Sequence, residues 1–442
     1  MTFSAFDSQI HGGLFADEET AALFSDQAQV RAMLQVEAAL ARVEGRLGVV
    51  PETAGARIAE VAEALALDPA SLRAGTARDG LPVPALIAAL REAVGGEAAA
   101  YVHWGATSQD IIDTALVLRL RDLLALFEAR LRRLIAILGR EAATHKLTVM
   151  AARTRAQQAT PTTLGLKIAA WLLPLIRHRE RLEQLRPRLL MIQFGGASGT
   201  LGALGGSGIA VMEALAQDLD LVGIEISWHN MRDGMAELAA CLAQISGSLG
   251  KLGADLVLLG QSELGELRAG PGGGSSAMPQ KANPVGGETL VALARFNAGL
   301  LSNMYTALVH PQERDGIAWS LEWLSLPQMA AATGAGLAHA QNLAESLRPD
   351  PERMRANLGA SDGLVLAEAA TFALAGHMPK PEAEALVKAA CADAKASGRH
   401  LTAILRERTD LPLDWSKLAD PAAHIGQAGM LVDRVLALID DA

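Results

Sequence analysis

The sequence predicts an all-α protein built around long helices, and three observations carry that prediction. Ala and Leu are abundant while aromatic residues make up only 4%, a composition suited to helices rather than strands, which draw on aromatic and β-branched residues. Leu238, Leu242, Ile245, Leu249, Leu252, Leu256 and Leu259 recur in alternating steps of four and three, the seam of a coiled-coil-like helix. A second series of the same kind runs through Leu120, Leu124, Phe127, Leu131, Leu134 and Leu138.

Taken in chain order, residues 1–105 hold shorter amphipathic segments such as Gln29–Leu47, interrupted by Pro51, Pro69, Pro82 and Pro84. The Leu120–Leu138 helix follows, and residues 164–186 also read as helical. Within the Leu238–Leu259 seam lie Ala239, Gly247, Gly250 and Gly253. Glycine costs about 1 kcal/mol per site inside a helix, so close helix packing is the expected compensation. Leu293, Phe296, Leu300 and Met304 mark a further helix, and residues 321–347 another. Several helices of this length point to an extended bundle. Beyond the Pro349/Pro351 break, short helices are split by Pro379, Pro381, Pro412 and Pro421. A chain of 442 residues exceeds one ordinary core. The expected division is an N-terminal helical domain over 1–105, a central long-helix bundle over 106–350 and a C-terminal helical domain over 351–442.

Charge and composition exclude several functions. Thirty-nine Lys+Arg against 49 Asp+Glu leave a net charge of −10, which argues against a general nucleic-acid binder. An anionic ligand would need a local basic cluster, because the whole-protein field repels it. Cys241 and Cys391 are far apart and form no C-x-x-C pair, so neither a disulfide framework nor a zinc ribbon is expected. No histidine falls into a metal-binding spacing, and nucleotide-binding glycine fingerprints are absent, so no metal or other cofactor is expected. The start, MTFSAFDSQIHGG, lacks the pattern of a signal peptide. No apolar run reaches eighteen residues. The expectation is a cytoplasmic protein with no membrane partner.

Two glycine-rich stretches stand out. GGASGTLGALGGSG, Gly195–Gly208, reads as a flexible connection between helices. GPGGGSSAMPQKANP, Gly270–Pro284, is harder to read as a linker, because it sets specific polar residues at fixed offsets between glycines and prolines. Consecutive glycines let backbone N–H groups converge on an anion. Lys281 adds a point charge, Asn283 a donor, and Ser275 and Ser276 hydroxyls.

GSSAMPQKANP resembles the signature of the fumarase/aspartase superfamily, which includes adenylosuccinate and argininosuccinate lyases. VHWGATSQDIIDT, Val102–Thr114, is similar to the superfamily's first conserved region, and ARTRAQQATPTTLG, Ala152–Gly165, to its second. The resemblance implies an all-α, three-domain fold whose long bundles form a tetrameric core. It also implies active sites assembled from conserved regions of different subunits, and a small polycarboxylate substrate.

The superfamily's reaction is a β-elimination or its reverse. A base removes the proton next to a carboxylate, giving a doubly charged aci-carboxylate that needs converging donors. The resemblance makes Ser275 the base, with Lys281 and backbone dipoles stabilising its alkoxide. It gives substrate binding to Ser276, Asn283, Thr107, Ser108, Gln157 and His103.

One departure bears on the branch. The second region usually reads R-T-H-x-Q, its histidine protonating the leaving group, whereas here it reads Arg153-Thr154-Arg155-Ala156-Gln157. Arginine donates no proton near neutrality, so the leaving group should need none. A carboxylate meets that condition, as when a lactone ring opens or closes. This is the chemistry of the bacterial 3-carboxy-cis,cis-muconate cycloisomerases of protocatechuate breakdown, a branch that also lacks the histidine.

QFGGASGTLGALG (Gln193–Gly205), SWHNMRDGMAEL (Ser227–Leu238), QERDGIAWSLEW (Gln312–Trp323) and IGQAGMLVDRVLAL (Ile425–Leu438) are similar to the same branch. Arg153, Arg155, Lys281 and Arg314 are then the expected basic cluster for a trianionic substrate. For Arg153 and Arg314, ion pairing is an equal expectation. Glu288, thirteen residues after Ser275, and the substrate are alternative partners for Arg155. His229 is expected in a structural hydrogen bond as much as in catalysis. The alternatives are a sister enzyme acting on 3-sulfomuconate or a similar analogue, and a lyase of the adenylosuccinate or argininosuccinate type.

Overall fold

The computed structural model describes residues 4–274 and 277–440. Ser275 and Ser276, the expected base and its neighbour, therefore lie outside the described residues. The elements that matter for function are α1 (Asp26–Arg46), α2 (Ser108–Thr144), β1 (Val149–Thr154), β2 (Gln157–Thr163), α3 (Leu164–Leu189), α4 (Asp233–Leu259), α5 (Val285–Thr306) and α6 (Gly316–Glu345). The long helices match the apolar series in the sequence. Every residue of the Leu238–Leu259 seam is buried in α4, and every residue of the Leu120–Leu138 series in α2.

The chain divides into two compact units, and the division falls within each of the five long helices α2 to α6. The first unit takes the described residues through Arg130, with His178–Gly247 and Leu293–Ala338. The second takes Leu131–Arg177, Ser248–Ala292 and the residues from His339 onward. This is a different partition from the consecutive blocks 1–105, 106–350 and 351–442.

In the first unit, α1 supplies the centre of a large apolar core. Its Ser25 N-cap accepts a hydrogen bond from the Ala28 N–H, and Met33, Val36, Leu40 and Val43 pack with Ile58, Leu86, Leu90, Ile111, Leu215 and Trp319. Close approach of α1 to helix Glu52–Ala64 requires glycine, since a Cβ on Gly55 would lie 2.4 Å from the Ala41 carbonyl oxygen. One detail departs from the sequence pattern. Phe296 points outward on α5 and meets Phe6 at 5.5 Å, while Asn297 takes the buried position. The Asn297 amide donates to Ser246 Oγ (2.7 Å), Thr333 Oγ1 (3.0 Å) and the Met329 carbonyl (3.2 Å). A polar residue with partners on two other helices replaces the expected apolar one, at a place where burial demands hydrogen bonding.

In the second unit, β1 and β2 form an antiparallel hairpin that the helix-directed reading omits. Its two-residue loop is Arg155-Ala156, with φ of +50° and +63°, the pattern of a type I′ turn. Turns of this type favour Asn-Gly, so the pair Arg-Ala gave no hairpin signal. A separate apolar cluster centred on Leu374, Val387, Leu401 and Leu405 holds the C-terminal short helices together.

Candidate active site

In the first unit the polar centre is Asp110, fully buried in the first turn of α2. One carboxylate oxygen accepts from the Gly195 N–H (3.0 Å) and lies 2.8 Å from His229 Nε2. The other accepts from the Gly196 N–H and the Thr107 N–H, both at 2.9 Å. Gly195–Gly208 is therefore no flexible connection, because its first two amides are fastened to a buried carboxylate. A Cβ on Gly195 would lie 2.5 Å from Ser227 Cβ, and Gly196 has φ +70°, so both positions require glycine. His229 makes a structural hydrogen bond, one of the two roles expected for it.

One turn further along α2, Asp113 accepts from Arg232 Nη1 (2.6 Å), Gln109 Nε2 (3.1 Å) and Trp319 Nε1 (3.1 Å). Arg232 also grips Glu322 through Nε and Nη2, at 2.9 and 2.5 Å. Burial opposes all these charges. The two carboxylates nevertheless hold Arg232 protonated above its ordinary value, and Arg232 holds Glu322 below the usual carboxylate range. Such a network costs desolvation but fixes geometry.

These buried groups position the surface residues singled out in the sequence. Thr107 and Ser108 sit where α2 begins, and the Ser108 hydroxyl has no hydrogen-bond partner among the described residues. Unsatisfied amides and the helix dipole make such a terminus receptive to an anion. Arg314 donates to Thr107 Oγ1 (2.6 Å) and to the Ala197 carbonyl (2.7 Å). Both acceptors are neutral, so its positive charge stays uncompensated among the described residues. His103, at φ +63°, places Nδ1 2.6 Å from Glu37 Oε1. Burial works against a charged ring there, but the Glu37 carboxylate outweighs it and raises His103 above its usual value. Behind this pair lies Glu44, also buried, which burial and then the Glu37 charge push up to about 9. Glu44 is thus a neutral acid at pH 7.

The second unit holds the remaining residues. Arg155 lies in the hairpin turn and Gln157 directly after it, both exposed and with no side-chain partner among the described residues. Arg153 differs. Its Nη1 and Nη2 donate to the two oxygens of the fully buried Glu266 at 2.7 and 2.6 Å. This bidentate pair neutralises Arg153 and removes it from the expected basic cluster. Glu288 is exposed in the first turn of α5 and forms no ion pair among the described residues, so of the two alternatives for Arg155 the pairing with Glu288 is not seen within the chain.

The signature loop is pinned at its base, where Gly273 N–H donates to the Asn283 carbonyl (2.8 Å) and Asn283 N–H returns to the Gly273 carbonyl (2.9 Å). A Cβ on Gly273 would lie 2.6 Å from Val285 Cγ2. Lys281 is exposed beyond this closure, and the Asn283 side-chain amide is unbound among the described residues. His103, Thr107, Ser108 and Arg314 thus belong to the first unit, and Arg153, Arg155, Gln157, Lys281 and Asn283 to the second. Asp110, Asp113, Glu322, Glu37 and Glu266 were not anticipated. A signal existed for the first two, since Asp110 and Asp113 flank Ile111 and Ile112 in the first turns of a long helix.

Comparison with known proteins agrees with this architecture. A family model described as lyase matches residues 15–296, and one described as adenylosuccinate lyase C-terminus matches residues 363–435. A 3-carboxy-cis,cis-muconate cycloisomerase of Pseudomonas aeruginosa is 45% identical, over 97% of this chain and 96% of that protein. A nitrosuccinate lyase of Streptomyces davaonensis is 35% identical, over 97% and 94%. The crystal structure of a 3-carboxy-cis,cis-muconate lactonizing enzyme from Pseudomonas putida superposes with a TM-score of 0.92 at 42% identity, covering 98% of this chain and 99% of that one. The three regions on which the resemblance rested thus sit in an all-α fold shared along the whole chain, and the protein belongs to the lyase family of the fumarase/aspartase superfamily.

Proposed function

We propose that this protein is an intramolecular lyase that converts 3-carboxy-cis,cis-muconate to 4-carboxymuconolactone. The observation that carries the reading is the match of 45% identity, over almost the entire length, to an enzyme of that name. Arg155 supports it chemically. A side chain that keeps its proton suits a carboxylate as the group that adds or leaves, because a carboxylate needs no protonation to depart.

In this reading a carboxylate oxygen of the substrate adds across the double bond and a C–O bond forms. The π electrons move into the neighbouring carboxylate as an aci-carboxylate. Lys281, Asn283 and the glycine amides of the signature loop stabilise that charge, and Ser275 delivers a proton to the carbon and regains one from solvent. Three carboxylates become two and a lactone, so each turnover takes up one proton. Thr107, Ser108, Gln157, Ser276 and His103 bind the remaining carboxylates, with Arg314 and Arg155 supplying positive charge.

The assignment extends to assembly. The candidate residues come from four stretches of the chain, at 103–108, 153–157, 275–283 and 314, and apolar side chains such as Tyr305, Ile317 and Leu324 are exposed on the long helices. A homotetramer in which copies share active sites accounts for both, and a cytoplasmic location completes the reading. No single described helix is long and apolar enough to cross a membrane.

The test is direct. Incubation of the purified protein with 3-carboxy-cis,cis-muconate should remove the diene absorbance with uptake of one proton per turnover in a pH-stat. Turnover of adenylosuccinate without loss of the diene would overturn the assignment.

A further inference from the structure

The first unit contains a cavity of about 170 Å³ that the reaction does not use. Its walls are largely apolar, with Phe24, Ile112, Leu116, Trp323 and Leu326 contributing. Into this lining α2 inserts Arg119, which is only 9% exposed. An arginine at that depth normally pairs with a carboxylate, and Arg119 forms no ion pair among the described residues. Its Nε donates to the Ala115 carbonyl of its own helix at 3.3 Å, and its guanidinium carbon lies 5.8 Å from the centre of the Phe24 ring. The terminal nitrogens have no hydrogen-bond partner among the described residues. Burial alone acts on this group and pulls it down to about 10, so it stays charged at neutral pH. A buried cation left without an anion is a costly arrangement for structure alone.

From this geometry we infer that the Arg119 cavity is a binding site for a small monocarboxylate with a compact apolar body, such as a benzoate-like ring or a branched alkyl group. The guanidinium offers two parallel N–H donors to a carboxylate, Gln29 lines the cavity with an amide, and the apolar walls take the body of the ligand. The site favours one negative charge over two or three. It holds a single cation, and the Glu322 carboxylate also lines it. Glu322 is committed to Arg232 and lies 3.6 Å from His310, so it leaves Arg119 as the one cation lining the cavity among the described residues and sets a carboxylate against a second anionic group. The trianionic substrate of the proposed reaction is therefore a poor fit. This inference is independent of the assigned reaction.

The experiment is calorimetric titration of the full-length protein with sodium benzoate, with benzyl alcohol as the neutral control. Binding is expected for benzoate and not for benzyl alcohol. Arg119→Gln should weaken benzoate binding by about tenfold to a hundredfold, as expected for losing a charged hydrogen-bonded pair. Should that variant fail to fold, Leu116→Trp keeps the cation and fills the cavity, and should remove binding equally. No binding to the native protein, or equal binding to Arg119→Gln, overturns the inference. So does loss of benzoate binding in Lys281→Ala alone, which would place the ligand in the substrate site. If Arg119→Gln breaks the oligomer while the native protein ignores benzoate, the residue serves assembly and the inference fails.

Discussion

The two groups of candidate residues are held in opposite ways. Around Asp110 buried carboxylates hold the frame: the Thr107, Gly195 and Gly196 amides donate to Asp110 and His103 pairs with Glu37, while Arg314 bonds two neutral oxygens. Around the signature loop and the hairpin tip the backbone holds the shape, through the Gly273–Asn283 bonds and a two-residue turn, and Lys281, Arg155 and Gln157 stand exposed. The first region is rigid before any ligand arrives. In the second, Arg153 is paired with Glu266, while Lys281 and Arg155 form no ion pair among the described residues and are left for a ligand. The difference teaches that substitutions near Asp110 should act through folding, and substitutions at the loop through turnover.

The strongest way to break this contrast is Asp110→Ala. It strands three backbone N–H groups and His229, and should cost about 3–5 kcal/mol of stability together with most of the activity. Denaturant melts would show it, and a native-like midpoint would remove Asp110 as the organising group. Lys281→Ala should do the reverse. We expect a loss of about 10²–10³ in kcat with stability changed by no more than about 0.5 kcal/mol, as for other exposed positions. Equal losses of stability in the two variants would erase the distinction.

Glu44→Gln sharpens the comparison from the side of pH. Glu44 has a folded value of about 9 against an ordinary 4.5. The folded state therefore keeps a proton that the unfolded chain releases, and stability declines as pH rises from 4.5 toward 9. Glutamine cannot titrate, so the variant should be more stable at pH 8 by on the order of a few kcal/mol, with little difference near pH 4. Melting at both values would test this.

The smallest effect is expected from Glu37→Gln. The Glu37 carboxylate raises His103, so their pairing contributes below the ordinary histidine range and is lost as pH rises through the folded value. Without it His103 should lose its charge at lower pH. The basic limb of kcat/KM should move down, and KM should rise about fivefold near neutrality, the equivalent of about 1 kcal/mol, with kcat little changed. An unmoved pH profile would free His103 from Glu37.

Much of this was legible in the sequence, and the rest was hidden for physical reasons. The long helices followed from apolar periodicity because burial repeats with the turn of the helix, as Leu238–Leu259 shows. The surface residues of the site were found through motifs. The carboxylates behind them were not, because Glu37 lies 66 residues from His103 and Glu266 lies 113 from Arg153, and no local pattern records a pairing at that range. Phe296 leaves the buried stripe to Asn297 because hydrogen bonds to Ser246 and Thr333 outweigh a periodicity argument. The Gly195–Gly208 stretch read as loose because glycine signals backbone freedom equally whether the chain moves or is pressed against a neighbour.

The tip of the β1–β2 hairpin also bears on how this protein would respond to selection for stability. Two non-glycine residues in the left-handed region cost roughly 1 kcal/mol each, and Asn-Gly would relieve most of that in a single pair of changes. A thermostability screen would therefore draw positions 155 and 156 toward Asn-Gly and discard the arginine on which the chemical argument turns. A stabilised library screened without an activity readout would be expected to converge on a protein that folds better and no longer carries that charge.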